Sequence, residues 1–120
     1  MAECHIINRE ETVAATANLL RRSPQITAVF SVNDEGALMV MEVARDLGRA
    51  VPDDISIIGF DNIDLSGCVS PSLTTMHVDK IGMGRLAVEL LINRIECPES
   101  STVRTAVRPR LIERDSVRAI

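Results

Sequence analysis

Residues 28–36 read Ala28-Val29-Phe30-Ser31-Val32-Asn33-Asp34-Glu35-Gly36: an apolar run, a polar hinge and the opening of a helix. Residues 27–32 are β-branched, aromatic or small, the composition of a strand buried on both faces. Asn33 and Asp34 suit a helix start, because a short side-chain oxygen accepts from the exposed N–H groups of a first turn. A strand running straight into a helix predicts an α/β fold with a parallel sheet and flanking helices. In such sheets ligands sit outside the carboxyl ends of the strands. Asn33 and Asp34 are therefore candidates both for a helix cap and for a ligand-binding site.

The pattern repeats downstream. A helix is predicted over 35–47, with Gly48 where a left-handed cap belongs. Residues 55–60 form the next apolar strand, ending in Gly59-Phe60-Asp61-Asn62. Two parallel strands joined by a helix bring their carboxyl ends side by side. Asn33, Asp34, Asp61 and Asn62 are thus expected around one crevice, although turn chemistry also accounts for Asp61-Asn62. Upstream, Asn8 and Glu11 resemble a capping box. The helix they open presents Val13, Ala17 and Leu20 as a narrow stripe towards a sheet, and Pro24 ends it. Downstream come a loop over 63–72, a strand over 73–78 and a helix over 80–95 capped by Asp79. Residues 102–112 alternate loosely around Pro109, which points to an edge strand or a bent one.

The helix over 35–47 is apolar around most of its circumference. Val40, Val43, Ala44 and Leu47 can face the sheet. That leaves Leu38, Met39 and Met41 for another part of the chain or another subunit. Three such side chains on one helix make a cohesive patch, so they are the predicted dimer interface. The helix over 80–95 is also apolar over much of its surface.

Composition removes several functions. The chain has 120 residues, 46% of them hydrophobic, enough for one domain with a real core. It has no Trp or Tyr and only two Phe, so it lacks the aromatic platforms that stack single-stranded nucleic acid. Its net charge is −4, with dispersed Lys and Arg, which argues against a DNA-binding surface of its own. No apolar run has transmembrane length, and no secretion signal opens the chain. Cys4, Cys68 and Cys97 are far apart, which fits a reducing compartment better than a disulfide framework.

No catalytic constellation is visible, and no enzyme activity is expected. Ser31 lacks the flanking glycines of a nucleophile elbow. Gly82-Met83-Gly84-Arg85 is too short for a phosphate-binding fingerprint. His77, at a strand end, has nothing near it in sequence to orient it as a base. His5, beside Cys4, reads as a surface residue near a terminus. Neither a metal nor a cofactor is expected.

Longer stretches carry a resemblance. Val32-Asn33-Asp34, then residues 48–62 (GRAVPDDISIIGFDN), then Pro71-Ser72-Leu73-Thr74-Thr75 resemble the C-terminal part of LacI/GalR-family transcription regulators. Gly84-Arg85-Leu86-Ala87-Val88-Glu89-Leu90-Leu91 and the closing Leu111-Ile112-Glu113-Arg114-Asp115-Ser116 match as well, so the resemblance covers almost the whole chain.

The resemblance implies two α/β lobes clasping a small effector, a sugar or a nucleobase, with DNA bound through an N-terminal helix-turn-helix that these residues do not include. Residues 1–78 and 106–120 would belong to the C-terminal lobe, a Rossmann-like lobe of a periplasmic-binding-protein-like fold, here truncated. Residues 79–105 would be a crossover helix and strand of the N-terminal lobe. Asn33, Asp34 and Asp61 carry over as effector contacts, and pairing through the helix after Asn33 implies a homodimer. Val78 stands where the family often has a polar contact, commonly Gln. The expected function is effector binding and dimerisation in a cytoplasmic regulator. The alternative is part of a sugar solute-binding protein of a transport system.

Overall fold

The computed structural model describes residues 8–119. Cys4 and His5 lie outside them. In chain order the elements are α1 (Arg9–Arg22), β1 (Ala28–Phe30), α2 (Asp34–Asp46), β2 (Ser56–Asp61), a short 3-10 turn (Asp64–Gly67), β3 (Thr74–His77), α3 (Lys80–Glu96) and β4 (Arg110–Ile112). The sheet order is β1-β2-β3-β4, with the first three strands parallel and β4 antiparallel to β3. This is the expected α/β architecture.

Local chemistry sets the helix boundaries. Asn8 accepts from the N–H groups of Glu10 and Glu11, with Arg21 and Arg22 in the last turn of α1. Asn33 Oδ1 accepts from Gly36 N at 2.8 Å and starts α2. Gly48, at φ 72, follows α2 in the left-handed conformation that glycine adopts without a steric penalty. Asp79 Oδ1 accepts from Gly82 N at 2.8 Å and starts α3.

The core lies between α2 and the sheet. Ala37, Val40, Val43 and Ala44 of α2 meet Ile55, Ile57 and Leu73, with Leu20 closing the α1 side. All eight are β-branched, alanine or leucine residues whose apolar surface is almost wholly removed from water, which is worth about 25 cal/mol per Å². Hence the fold rests on this layer.

Three sequence expectations are corrected. The strand over 27–32 is not buried on both faces: β1 is the edge of the described sheet, and its Phe30 is 62% exposed. An apolar run signals burial only if a neighbour covers each face, and sequence carries no trace of that neighbour. The α1 stripe packs chiefly on α2 rather than on the sheet, and Arg9 Nη2 donates to Glu42 Oε2 at 2.6 Å across the two helices. The strand within 102–112 is confined to Arg110–Ile112, directly after Pro109, which has no N–H to give a ladder.

Leu38 and Met41 are half-buried, and so is Met39. Part of their cover comes from within the chain. Leu38 and Met41 line a cavity of about 400 Å³ with Val51, Leu65, Val69 and Pro71, between α2 and the 63–72 segment. By contrast α3 buries none of its residues, leaving Ile81, Val88, Leu91 and Ile95 exposed.

Candidate functional site

The carboxyl ends of β1, β2 and β3 lie side by side, with Arg110 of β4 paired to His77 at the same rim. The Asn33-Asp34 turn and the Asp61-Asn62 turn are tied directly: Ile63 N donates to Asp34 Oδ2 at 2.8 Å. The two polar strand ends thus meet.

They meet with different roles. Asp34 is fully buried, at 0% exposure. Its Oδ1 accepts from the Thr75 hydroxyl at 2.5 Å, and its Oδ2 takes Ile63 N–H. A buried carboxylate needs such partners, and the N-terminus of α2 adds favourable dipole. Asp34 therefore braces β1, β2 and β3 from beneath. Asn33 is half-buried, and only its Oδ1 is engaged, as the α2 cap. Its Nδ2 makes no hydrogen bond among the described residues, so cap and free donor coexist in one side chain.

Asp61 is half-buried at φ 110, a region L-residues rarely occupy, and Asn62 follows at φ 52. Asp61 Oδ1 lies 3.5 Å from Lys80 Nζ, the first residue of α3. The Lys80 side chain is largely exposed and the contact is long, so the pair holds the carboxylate weakly. Asp61 keeps an accessible acceptor at the rim, next to a cation.

Beside it runs a polar network that sequence reasoning missed. Arg114 donates Nη1–H to Ser66 Oγ at 2.8 Å and to Leu73 O at 2.7 Å, and Nη2–H to Asn62 Oδ1 at 2.8 Å. Asn62 Nδ2 lies 3.2 Å from His77 Nδ1. Ser116 Oγ accepts from Thr74 N at 2.8 Å and donates to Ile57 O at 2.5 Å. His77 is thus oriented after all, by Asn62, 15 positions away, which is itself held by Arg114, 52 positions from Asn62. Phe60 pairs in register with Met76 on the sheet face away from Asp34, and Val78 is half-buried between β3 and the α3 cap.

The arrangement suits recognition of a polar small molecule. Asn33 Nδ2 can donate, the Asp61 carboxylate can accept, and Lys80 adds positive charge. No group of three or more His, Cys, Asp or Glu among the described residues could hold a metal. No described helix is long and apolar enough to cross a membrane.

A family profile described as the periplasmic binding protein-like domain matches residues 2–117. The HTH-type transcriptional repressor PurR of Vibrio vulnificus is 44% identical over 94 residues, covering 78% of this chain and 28% of that protein. Among solved structures, a LacI family transcriptional regulator from Arthrobacter sp. FB24 in complex with lactose superposes with a TM-score of 0.82 at 35% identity, covering 93% of this chain and 42% of that one. The complex of the transcriptional regulator CelR with cellobiose superposes with a TM-score of 0.84 at 32% identity, over 92% of this chain and 34% of that one. The chain spans less than a third of the length of the Vibrio vulnificus repressor.

Proposed function

Because this chain belongs to the periplasmic binding protein-like family, as LacI-family transcriptional regulators carry it, we propose that it is an effector-binding and dimerisation unit of such a regulator. The observation that carries this reading is the hydrogen bond that ties the Asn33-Asp34 turn to the turn after Asp61-Asn62, at the carboxyl ends of neighbouring parallel strands. Asn33 and Asp61 contact the effector, and Asp34 holds the two turns in place from below. The effector is a sugar or a nucleobase, both of which offer hydroxyls, carbonyls or ring nitrogens to an amide donor and a carboxylate acceptor. Lactose and cellobiose in the two similar structures favour the sugar class.

Residues 8–78 and 106–119 act as one lobe, and residues 79–105 reach towards a second. In support, α3 exposes Ile81, Val88, Leu91 and Ile95, a surface that suits a further lobe. The site binds and releases its ligand without catalysis: His77 faces an amide donor rather than a nucleophile. DNA is contacted through a helix-turn-helix outside these residues. Leu38, Met39 and Met41 serve homodimerisation, because the cavity beside them extends an apolar surface from α2 to Leu65 and Pro71. Cys68 and Cys97 are exposed free thiols, which suits the cytoplasm.

A thermal-shift screen with ribose, lactose, cellobiose and purine bases tests the function, since a ligand that binds only the native state raises its stability. One side of a cleft buries little of a ligand, so upward shifts are expected only at millimolar concentration. No shift with any of them would oppose the reading.

A further inference from the structure

Asn62 stands between a group that can only donate and a group whose role is set by its tautomer. A guanidinium has no acceptor, so Arg114 Nη2, at 2.8 Å, must face the Asn62 carbonyl oxygen. That settles which way the amide points. Nδ2 is then the atom 3.2 Å from His77 Nδ1. An amide NH2 only donates, so Nδ1 must accept. The imidazole proton therefore sits on Nε2, and the ring is neutral whenever this bond is made.

Arg114 is itself anchored. Its Nη1 donates to Ser66 Oγ and Leu73 O, and its backbone N donates to Thr74 Oγ1 at 2.9 Å. The hydrogen bonds thus run one way, from a fixed guanidinium through Asn62 to His77. Three segments are closed by them: the turn after β2, the end of β3 and the residues after β4.

We propose that Arg114, Asn62 and His77 form a one-way clasp that positions Asp61 for effector recognition, with His77 locked as its Nε2–H tautomer. The functional half rests on Asp61 being an effector contact; the tautomer does not. Asp61 sits at φ 110, and Asn62, next to it, at φ 52. Neither conformation is one the backbone takes by default. Lys80 reaches Asp61 only at 3.5 Å, from a largely exposed side chain. Asn62 is held more firmly, by its side chain at both ends and by its N–H to Thr75 Oγ1 at 3.3 Å. The clasp therefore keeps the preceding residue in its unusual conformation, with Asp61 as the residue positioned and Asn62 as the positioning one.

The test is NMR on the ¹⁵N-labelled chain without any effector. In the wild type at neutral pH, the long-range imidazole spectrum should show His77 Nδ1 as a lone-pair nitrogen and Nε2 as the proton-bearing one. In Asn62→Asp, a carboxylate still takes the Arg114 N–H but offers His77 only acceptors, so Nδ1 should become proton-bearing. The Asp61 amide–α-proton coupling should be small in the wild type, as φ 110 requires. In Asn62→Leu it should grow towards the extended range while the rest of the amide spectrum stays dispersed. A proton on Nδ1 in the wild type would overturn the clasp, and this needs no variant to fold. A lone-pair Nδ1 in Asn62→Asp would do the same. An unchanged Asp61 coupling in folded Asn62→Leu would overturn the positioning role. Failure of every ligand to bind, with these signatures intact, would instead count against the effector reading alone.

Discussion

Gly59 makes room for Asp34. A Cβ at position 59 would stand 2.2 Å from Asp34 Oδ1 and 3.2 Å from its Cα, so the helix start carrying the brace closes on β2 only because position 59 has no side chain. Asp34 in turn links Ile63 and Thr75.

Gly59→Ala should therefore destabilise the chain by about 2–3 kcal/mol, as overpacking in a rigid core does. Asp34→Ala should cost about 3 kcal/mol, because it strands the part-buried Ile63 N–H and the fully buried Thr75 hydroxyl. The double variant should cost clearly less than the sum, since the clash needs both residues. Urea unfolding measures all three, and strict additivity would show that the two residues do not share a contact.

Ser116→Ala should cost about 2 kcal/mol in the same assay. It removes the hydroxyl that satisfies Thr74 N and Ile57 O in a fully buried place. A change within a few tenths of a kcal/mol would mean that these groups find other partners.

Asp61→Gly and Asp61→Ala separate the residue's conformation from its carboxylate. At φ 110 glycine is unstrained, so Asp61→Gly should keep or raise stability by up to about 1 kcal/mol. Asp61→Ala should not gain. Both should lose ligand-induced thermal stabilisation. An Asp61→Gly variant that still responds fully to ligand would remove the carboxylate from the site.

Leu38→Lys should shift the chain from dimer to monomer at tens of micromolar, the range in which interfaces worth about 6–8 kcal/mol come apart. Sedimentation equilibrium reads this. A monomeric wild type would end the dimer proposal. A Leu38→Lys dimer would move the interface elsewhere, with the exposed α3 residues as the next surface to mutate.

What could be read in the residues was local. Asn8, Asn33 and Asp79 cap their helices because each side-chain oxygen and the backbone N–H that donates to it lie within three residues. The repeated strand-to-polar-turn pattern placed Asn33 and Asp61 on one rim. The brace could not be read, because Ile63 and Thr75 are 29 and 41 residues from Asp34. Nor could the His77 orientation, which depends on Asn62 and ultimately Arg114. The exposure of Phe30 and Val32 escaped for another reason: hydrophobic patterning records what a segment can bury, and an edge strand of the same composition looks identical.

The claim at the centre is that Asn33 and Asp61 face one small-molecule effector. Residue-resolved NMR titration of this chain, with the sugar or purine that gives the largest thermal shift, tests it most directly. Amide and side-chain perturbations should converge on Asn33, Asp61, Asn62 and Lys80 at millimolar ligand, and Asp61→Ala should abolish them. Perturbations centred instead on Leu38, Leu65 and Pro71, or unaffected by Asp61→Ala, would contradict it.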